Sequence, residues 1–217
     1  MKTDVKKAYI VAAIMSILLY SLGILTGFFV QKSTVDYTEE RIDSLQRRVE
    51  NLQLEYVYLN TLGERLSCDS TSILVDDATK EVWSIGRELV SLDRSSQKTK
   101  KFESLKRDYS LLSVRAWILN TYLNDKCKKN TAIVLYFYSV PCDECIEQGH
   151  ILDALRENYF KENLTIFVLD SNIDEAIVQT LKKTYNINKT PAIVIGNSTY
   201  LGLIEKDRLQ ETISRNF

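Results

Sequence analysis

Hydrophobic positions fall into four regimes along the chain. Residues 8–30, AYIVAAIMSILLYSLGILTGFFV, hold no charged side chain. At about 1.5 Å of rise per residue, a helix of that length spans roughly 34 Å, enough to cross a hydrocarbon core. A cleaved leader is the competing reading, but leader apolar regions run about 7–15 residues and end in small side chains. This run is longer and ends in Phe28, Phe29 and Val30. Residues 8–30 are therefore expected to form a transmembrane anchor behind a short tail, 1–7. Lys2, Lys6 and Lys7 in that tail favour its retention in the cytoplasm, which places the rest of the chain outside it.

The second regime, 36–66, repeats apolar residues in steps of three and four: Ile42, Leu45, Val49, Leu52, Tyr56, Leu59 and, beyond a gap at Gly63, Leu66. Acidic and basic residues fill the intervals, which is the pattern of a coiled-coil seam of about three heptads. Two readings stay open. One is a stalk that pairs with a second copy as a homodimer; the other is an amphipathic helix packing on its own chain.

The third regime, 67–128, predicts a helical hairpin. The stretch SCDSTSILVD reads as a break and a helix cap. A helix over roughly 76–95 follows, with Val82, Ile85, Leu89 and Leu92 on one face. The polar turn SSQKTK leads into a helix over roughly 100–126, with Phe102, Leu105, Tyr109, Leu112, Ala116 and Leu119 at helical spacing. These stripes read as core rather than as a ligand box.

The character changes at residue 131. TAIVLYFYSV is an apolar, β-prone run, as expected of a strand buried on both faces. PCDEC follows, then a helical pattern through Ile146, Leu152 and Tyr159, a second strand LTIFVLD at 164–170, and a helix over 173–185. Pro191 opens AIVIG, a turn falls at Gly196-Asn197-Ser198, TYLGLI continues, and a helix over about 206–215 ends the chain. The order β-α-β-α-β-β-α describes a mixed sheet with helices on both faces, an α/β domain over 131–217.

Composition changes this picture little. With 28 basic and 29 acidic residues the net charge is -1, which gives no support for nucleic-acid binding. Only 7 Gly and 2 Pro in 217 residues argue against long disordered linkers. Four cysteines carry the candidate chemistry. Cys142 and Cys145 stand two residues apart, directly after a buried strand and at a helix start. There, unpaired backbone N–H groups and the helix dipole stabilise thiolate over thiol. Thiolate is the attacking species in disulfide exchange, so Cys142 reads as nucleophile and Cys145 as the more buried resolving thiol.

The strand–CxxC–helix order, with Thr190-Pro191 opening the third strand, resembles the thioredoxin superfamily over about residues 131–217. The resemblance implies thiol–disulfide oxidoreductase activity on protein thiols and disulfides, with no organic cofactor and no metal. It also implies a cis Pro191 beside the redox pair, with Thr190 and Pro191 holding the substrate backbone. Three departures stand out. Asp143 and Glu144 replace the usual Gly-Pro and disfavour the thiolate electrostatically. Val140-Pro141 replaces the usual tryptophan. Tyr136 occupies the position of a buried acid, leaving Glu144, Tyr136 or water as proton acceptor for Cys145.

Other readings of these residues are weaker. A zinc site would need partners from Cys68, Cys127 and His150, and no second CxxC exists. His150 reads as a surface histidine. Cys68 and Cys127, at predicted helix ends, could be bridged, serve as relay thiols, or stay unlinked. The sequons at Asn163, Asn188 and Asn197 carry little weight. A non-catalytic, membrane-tethered coiled-coil scaffold with a thioredoxin-like binding module is the alternative to the enzyme.

Overall fold

The computed structural model describes residues 14–26, 67–94 and 100–215, and within 50–61 residues 50, 51, 53–55, 57–59 and 61. Contacts divide the chain into two units, Met1–Arg65 and Leu66–Phe217. In the first unit residues 14–26 are helical, and so are the described residues of 50–61. The Thr26 hydroxyl donates to the carbonyls of Leu22, at 2.9 Å, and Gly23, at 3.0 Å. The helix's own backbone thereby satisfies a polar group in an apolar run. Among the described residues no helix is long and apolar enough to cross a membrane. Both ends of the 8–30 run, and most of the 36–66 seam, lie outside the described residues.

The second unit begins with an antiparallel pair of helices, α1 (Cys68–Arg94) and α2 (Lys100–Cys127). The sequence pattern places the first of these at roughly 76, but the helix starts eight residues earlier. Ser67 caps it by accepting the Ser70 N–H at 3.1 Å. The Thr71 and Ser72 hydroxyls bond back to the carbonyls of Ser67 and Asp69. The polar cluster that reads as a break is thus absorbed into the cap and first turn. Cys68 and Cys127, at the open ends of the hairpin, are joined by a disulfide with their Cα atoms 5.8 Å apart. Lys128, at φ 47°, turns the chain out of α2.

A four-stranded sheet follows, in the order β2-β1-β3-β4, from β1 (Ala132–Tyr138), β2 (Leu164–Asp170), β3 (Ala192–Ile195) and β4 (Ser198–Leu201). β1 and β2 run parallel with Ala132 opposite Leu164, while β3 is antiparallel to both β1 and β4. The β3–β4 hairpin closes through Gly196 and Asn197, with Gly196 at φ 56°, a conformation that favours glycine. Helix α3 (Asp143–Leu155) continues through a π-helical turn, Arg156–Phe160, and the remaining helices are α4 (Ala176–Thr184) and α5 (Lys206–Ser214).

The near-continuous apolar run of β1 is explained by burial on both faces. Val134 and Tyr136 pack with Leu152 and Leu155 of α3, Leu209 and Ile213 of α5, and Ile193 and Ile195 of β3. Leu135, Phe137, Phe167 and Leu169 alternate to the other side and are fully buried where α2 lies across β1 and β2. The hairpin helix α2 is therefore one wall of the sheet's core. At about 25 cal/mol per Å², each large side chain so covered contributes about 1.5–3 kcal/mol. α1 runs past the outer side of β2, an edge along which no described residue adds a strand.

Candidate active site

Cys142 is the N-cap of α3, with extended backbone at φ -163° and ψ 103°. Its Sγ accepts the Cys145 N–H at 3.1 Å, and its carbonyl accepts the Ile146 N–H at 3.3 Å. A sulfur in this position already takes a bond from a first-turn amide, the interaction that favours negative charge there. Cys142 and Cys145 are joined in a disulfide with Cα atoms 5.2 Å apart. Cys142 is partly exposed and Cys145 is buried, at 5%. Asp143, Glu144 and Ile146 beside them face solvent.

The peptide bond Thr190–Pro191 is cis, and so is Val140–Pro141, which the sequence reading leaves unremarked. Two bonds hold the Thr190–Pro191 segment, one to the loop before Cys142 and one to the chain after β4. The hydroxyls of Thr190 and Ser139 lie 2.6 Å apart, tying the residue before the proline to the strand exit that leads into Cys142. The Gly202 N–H donates to the Pro191 carbonyl at 2.8 Å. Residues that sequence places 48 and more positions apart, Cys142 and Thr190, are thereby brought to one end of the sheet.

Three further groups shape the site and escaped sequence reasoning. Asp170, 2% exposed at the end of β2, is ion-paired with Lys106 of α2, and its carboxylate accepts the Asn172 N–H at 2.8 Å. The Asn172 side chain reaches the Val140 carbonyl at 3.4 Å, and the Ser171 N–H donates to the Tyr138 carbonyl at 2.8 Å. Together they brace the 138–141 segment from the β2 side. Gln148, fully buried in α3, accepts the Ile204 N–H at 2.8 Å and pins the redox helix to the segment after β4. The one available signal was an acid, Asp170, closing an otherwise apolar strand.

Tyr136 is held in its protonated form. Its hydroxyl donates to the Cys145 carbonyl at 2.6 Å, and burial pushes its pKa up to about 12. Tyr109 is also raised, mainly by burial, with the Ser113 hydroxyl and Arg156 pulling it back in part. For a raised tyrosine the protonated form is the one the fold tolerates. Stability is thus fully present below the unfolded value of about 10 and falls as pH climbs to about 12. Melting curves between pH 9 and 12 are expected to show this loss in the wild type and a smaller one in Tyr136→Phe. Equal losses would mean that Tyr136 ionises without cost.

His150 is exposed on α3, beside Asp143, Glu147 and Lys206. Among the described residues no three potential ligands gather into a metal site.

Parallel β1–β2 pairing, an antiparallel β3–β4 edge, a disulfide capping α3 and a cis-proline opening β3 define a thioredoxin-like domain. The chain is similar to Thioredoxin 2 of Plasmodium berghei (strain Anka), with 32% identity over 99 residues, covering 44% of this chain and 60% of that protein. It thus spans three-fifths of the length of that curated relative. Among solved structures it is similar to a thioredoxin-2 described as a component of malaria parasite protein secretion machinery. That match has 24% identity over 40% of this chain and 84% of the other, at a TM-score of 0.34. It is also similar to a chloroplastic thioredoxin z, with 15% identity over 45% of this chain and 88% of that one, at a TM-score of 0.35. No protein-family model matches.

Proposed function

We propose that the protein is a membrane-anchored thiol–disulfide oxidoreductase acting on protein thiols and disulfides. The observation that carries this reading is the Cys142–Cys145 pair at the N-terminus of α3, with the cis Thr190–Pro191 bond tied to its loop through Ser139. In the reducing direction, the Cys142 thiolate attacks one sulfur of a partner disulfide. A Cys142–partner bond forms, the partner's S–S bond breaks, and the departing thiolate takes a proton. The Cys145 thiolate then attacks Cys142 Sγ, re-forms the internal disulfide and releases the second partner thiol. Two electrons and two protons pass to the partner, and the reverse sequence oxidises a dithiol.

Thr190 and Pro191 align the partner backbone, and the exchange needs neither organic cofactor nor metal. The uncharged run 8–30 supports the anchor, and Lys2, Lys6 and Lys7 support an outward-facing domain. The 3–4 apolar repeat within 36–66 supports a stalk able to pair with a second copy.

The test is equilibration of the full chain with glutathione buffers, followed by thiol trapping and mass analysis of the 142–145 peptide. A reversible two-electron couple is expected. One near about -270 mV would assign a reductase or conduit, and one near about -120 to -180 mV an oxidase or isomerase. No reversible couple would sink the enzyme and leave a non-catalytic tethered scaffold.

A further inference from the structure

A cavity of about 470 Å³ lies between α1 and the edge strand β2, away from the disulfide pair. It exists because α1 passes the sheet edge without packing flush on it. Ile166 and Val168 of β2 and Leu152 of α3 form an apolar floor, and Val82 and Trp83 of α1 face them across the gap. Two glycines line the space, and only Gly149 borders open room. A Cβ on Gly149 would meet nothing within 4 Å, and one on Gly86 would come 3.2 Å from the Tyr109 ring.

The polar groups of this cavity are unevenly distributed. The Arg156 guanidinium stacks over the Trp83 ring at 5.1 Å and is neutralised by Asp153, which it bonds at 2.8 Å. Arg87, one α1 turn beyond Trp83 at the rim, is exposed and has no ion-pair partner among the described residues. The walls are apolar and aromatic, Trp83 is half-exposed, and the unbalanced charge at the mouth is positive. An apolar cavity with a few placed polar groups is the usual form of a small-molecule site.

We propose that this cavity binds a small free carboxylic acid with a flat apolar body, the body lying against Trp83 and the β2 floor and the carboxylate meeting Arg87. The site stands whether or not the disulfide pair turns over. It nevertheless lies one side chain from that pair, because Tyr136 lines it and donates to the Cys145 carbonyl.

The probe is naphthylacetate, with uncharged naphthylacetamide as its control, titrated calorimetrically into the full chain. Saturable binding of the acid is expected. Arg87→Glu, an exposed change that leaves packing alone, should weaken the acid about tenfold or more and leave the amide within about twofold. Gly149→Leu, which fills the cavity from α3, should abolish binding of both. Absence of saturable binding to the wild type would overturn the proposal. So would an Arg87→Glu variant that binds the acid unchanged, or a folded Gly149→Leu variant that binds both probes as before.

Discussion

Cys142→Ser is expected to lose disulfide exchange by about a thousandfold or more, because no other exposed sulfur sits at the start of α3. A serine hydroxyl is a far weaker nucleophile at neutral pH than a thiolate stabilised by a first-turn amide. Cys145→Ser should differ in kind. It retains the attack but lacks the second sulfur that releases the partner, so mixed disulfides between Cys142 and partner proteins accumulate. Insulin-type turnover assays measure the first effect, and non-reducing electrophoresis with mass analysis of the Cys142 peptide measures the second. Full activity in Cys142→Ser would end the oxidoreductase assignment. The same trapped species would name the physiological partner.

The second large effect concerns stability. Cys68 and Cys127 are 59 residues apart in sequence, and closing a loop of that length lowers unfolded-state entropy by an amount worth about 4 kcal/mol. Replacing both by Ala should therefore lower Tm by roughly 8–16 °C for a domain of this size. The loss should begin in α1. Its buried Val75, Ala78 and Val82 are held against α2 by packing that the bridge fastens at the hairpin's open end. Calorimetry of the double variant, with the Trp83 fluorescence as a local reporter, measures it. An unchanged Tm would mean that helix packing alone holds the hairpin.

Much of the sheet was legible because its signals are local. TAIVLYFY and LTIFVLD are apolar runs of strand length, and the CxxC falls where strand gives way to helix. Thr190-Pro191 marked the site through resemblance alone, since nothing local distinguishes it from a strand-edge proline. What stayed hidden depends on contacts between distant segments. Helical periodicity located Leu112, Ala116 and Leu119 on α2 but could not say that this helix covers β1 and β2. The Lys106–Asp170 pair joins residues 64 positions apart, and although Asp170 stands out as an acid closing a strand, nothing local points it to Lys106. The start of α1 was misplaced because Ser, Asp and Thr signal a break and a cap equally well. Only the Ser67 hydroxyl bond shows which it is. For Cys68 and Cys127, spacing left three possibilities, and only the folded hairpin brings their Cα atoms within bonding reach.

The passage of α1 along β2 has a consequence for solubility. LTIFVLD is a seven-residue apolar strand at a sheet edge, the kind of segment that templates pairing with another molecule. Globular chains blunt such edges with charge, proline or a covering element, and here a helix pair fastened by a disulfide flanks it, α2 packing on the strand and α1 standing off across the cavity. Reduction of Cys68–Cys127 therefore does more than loosen the hairpin: it unguards a strand ready to recruit its own kind. A chain trimmed to 131–217 would lose that guard along with α2's wall of the core, so aggregation, rather than slow turnover, is the failure to watch for when the domain is isolated.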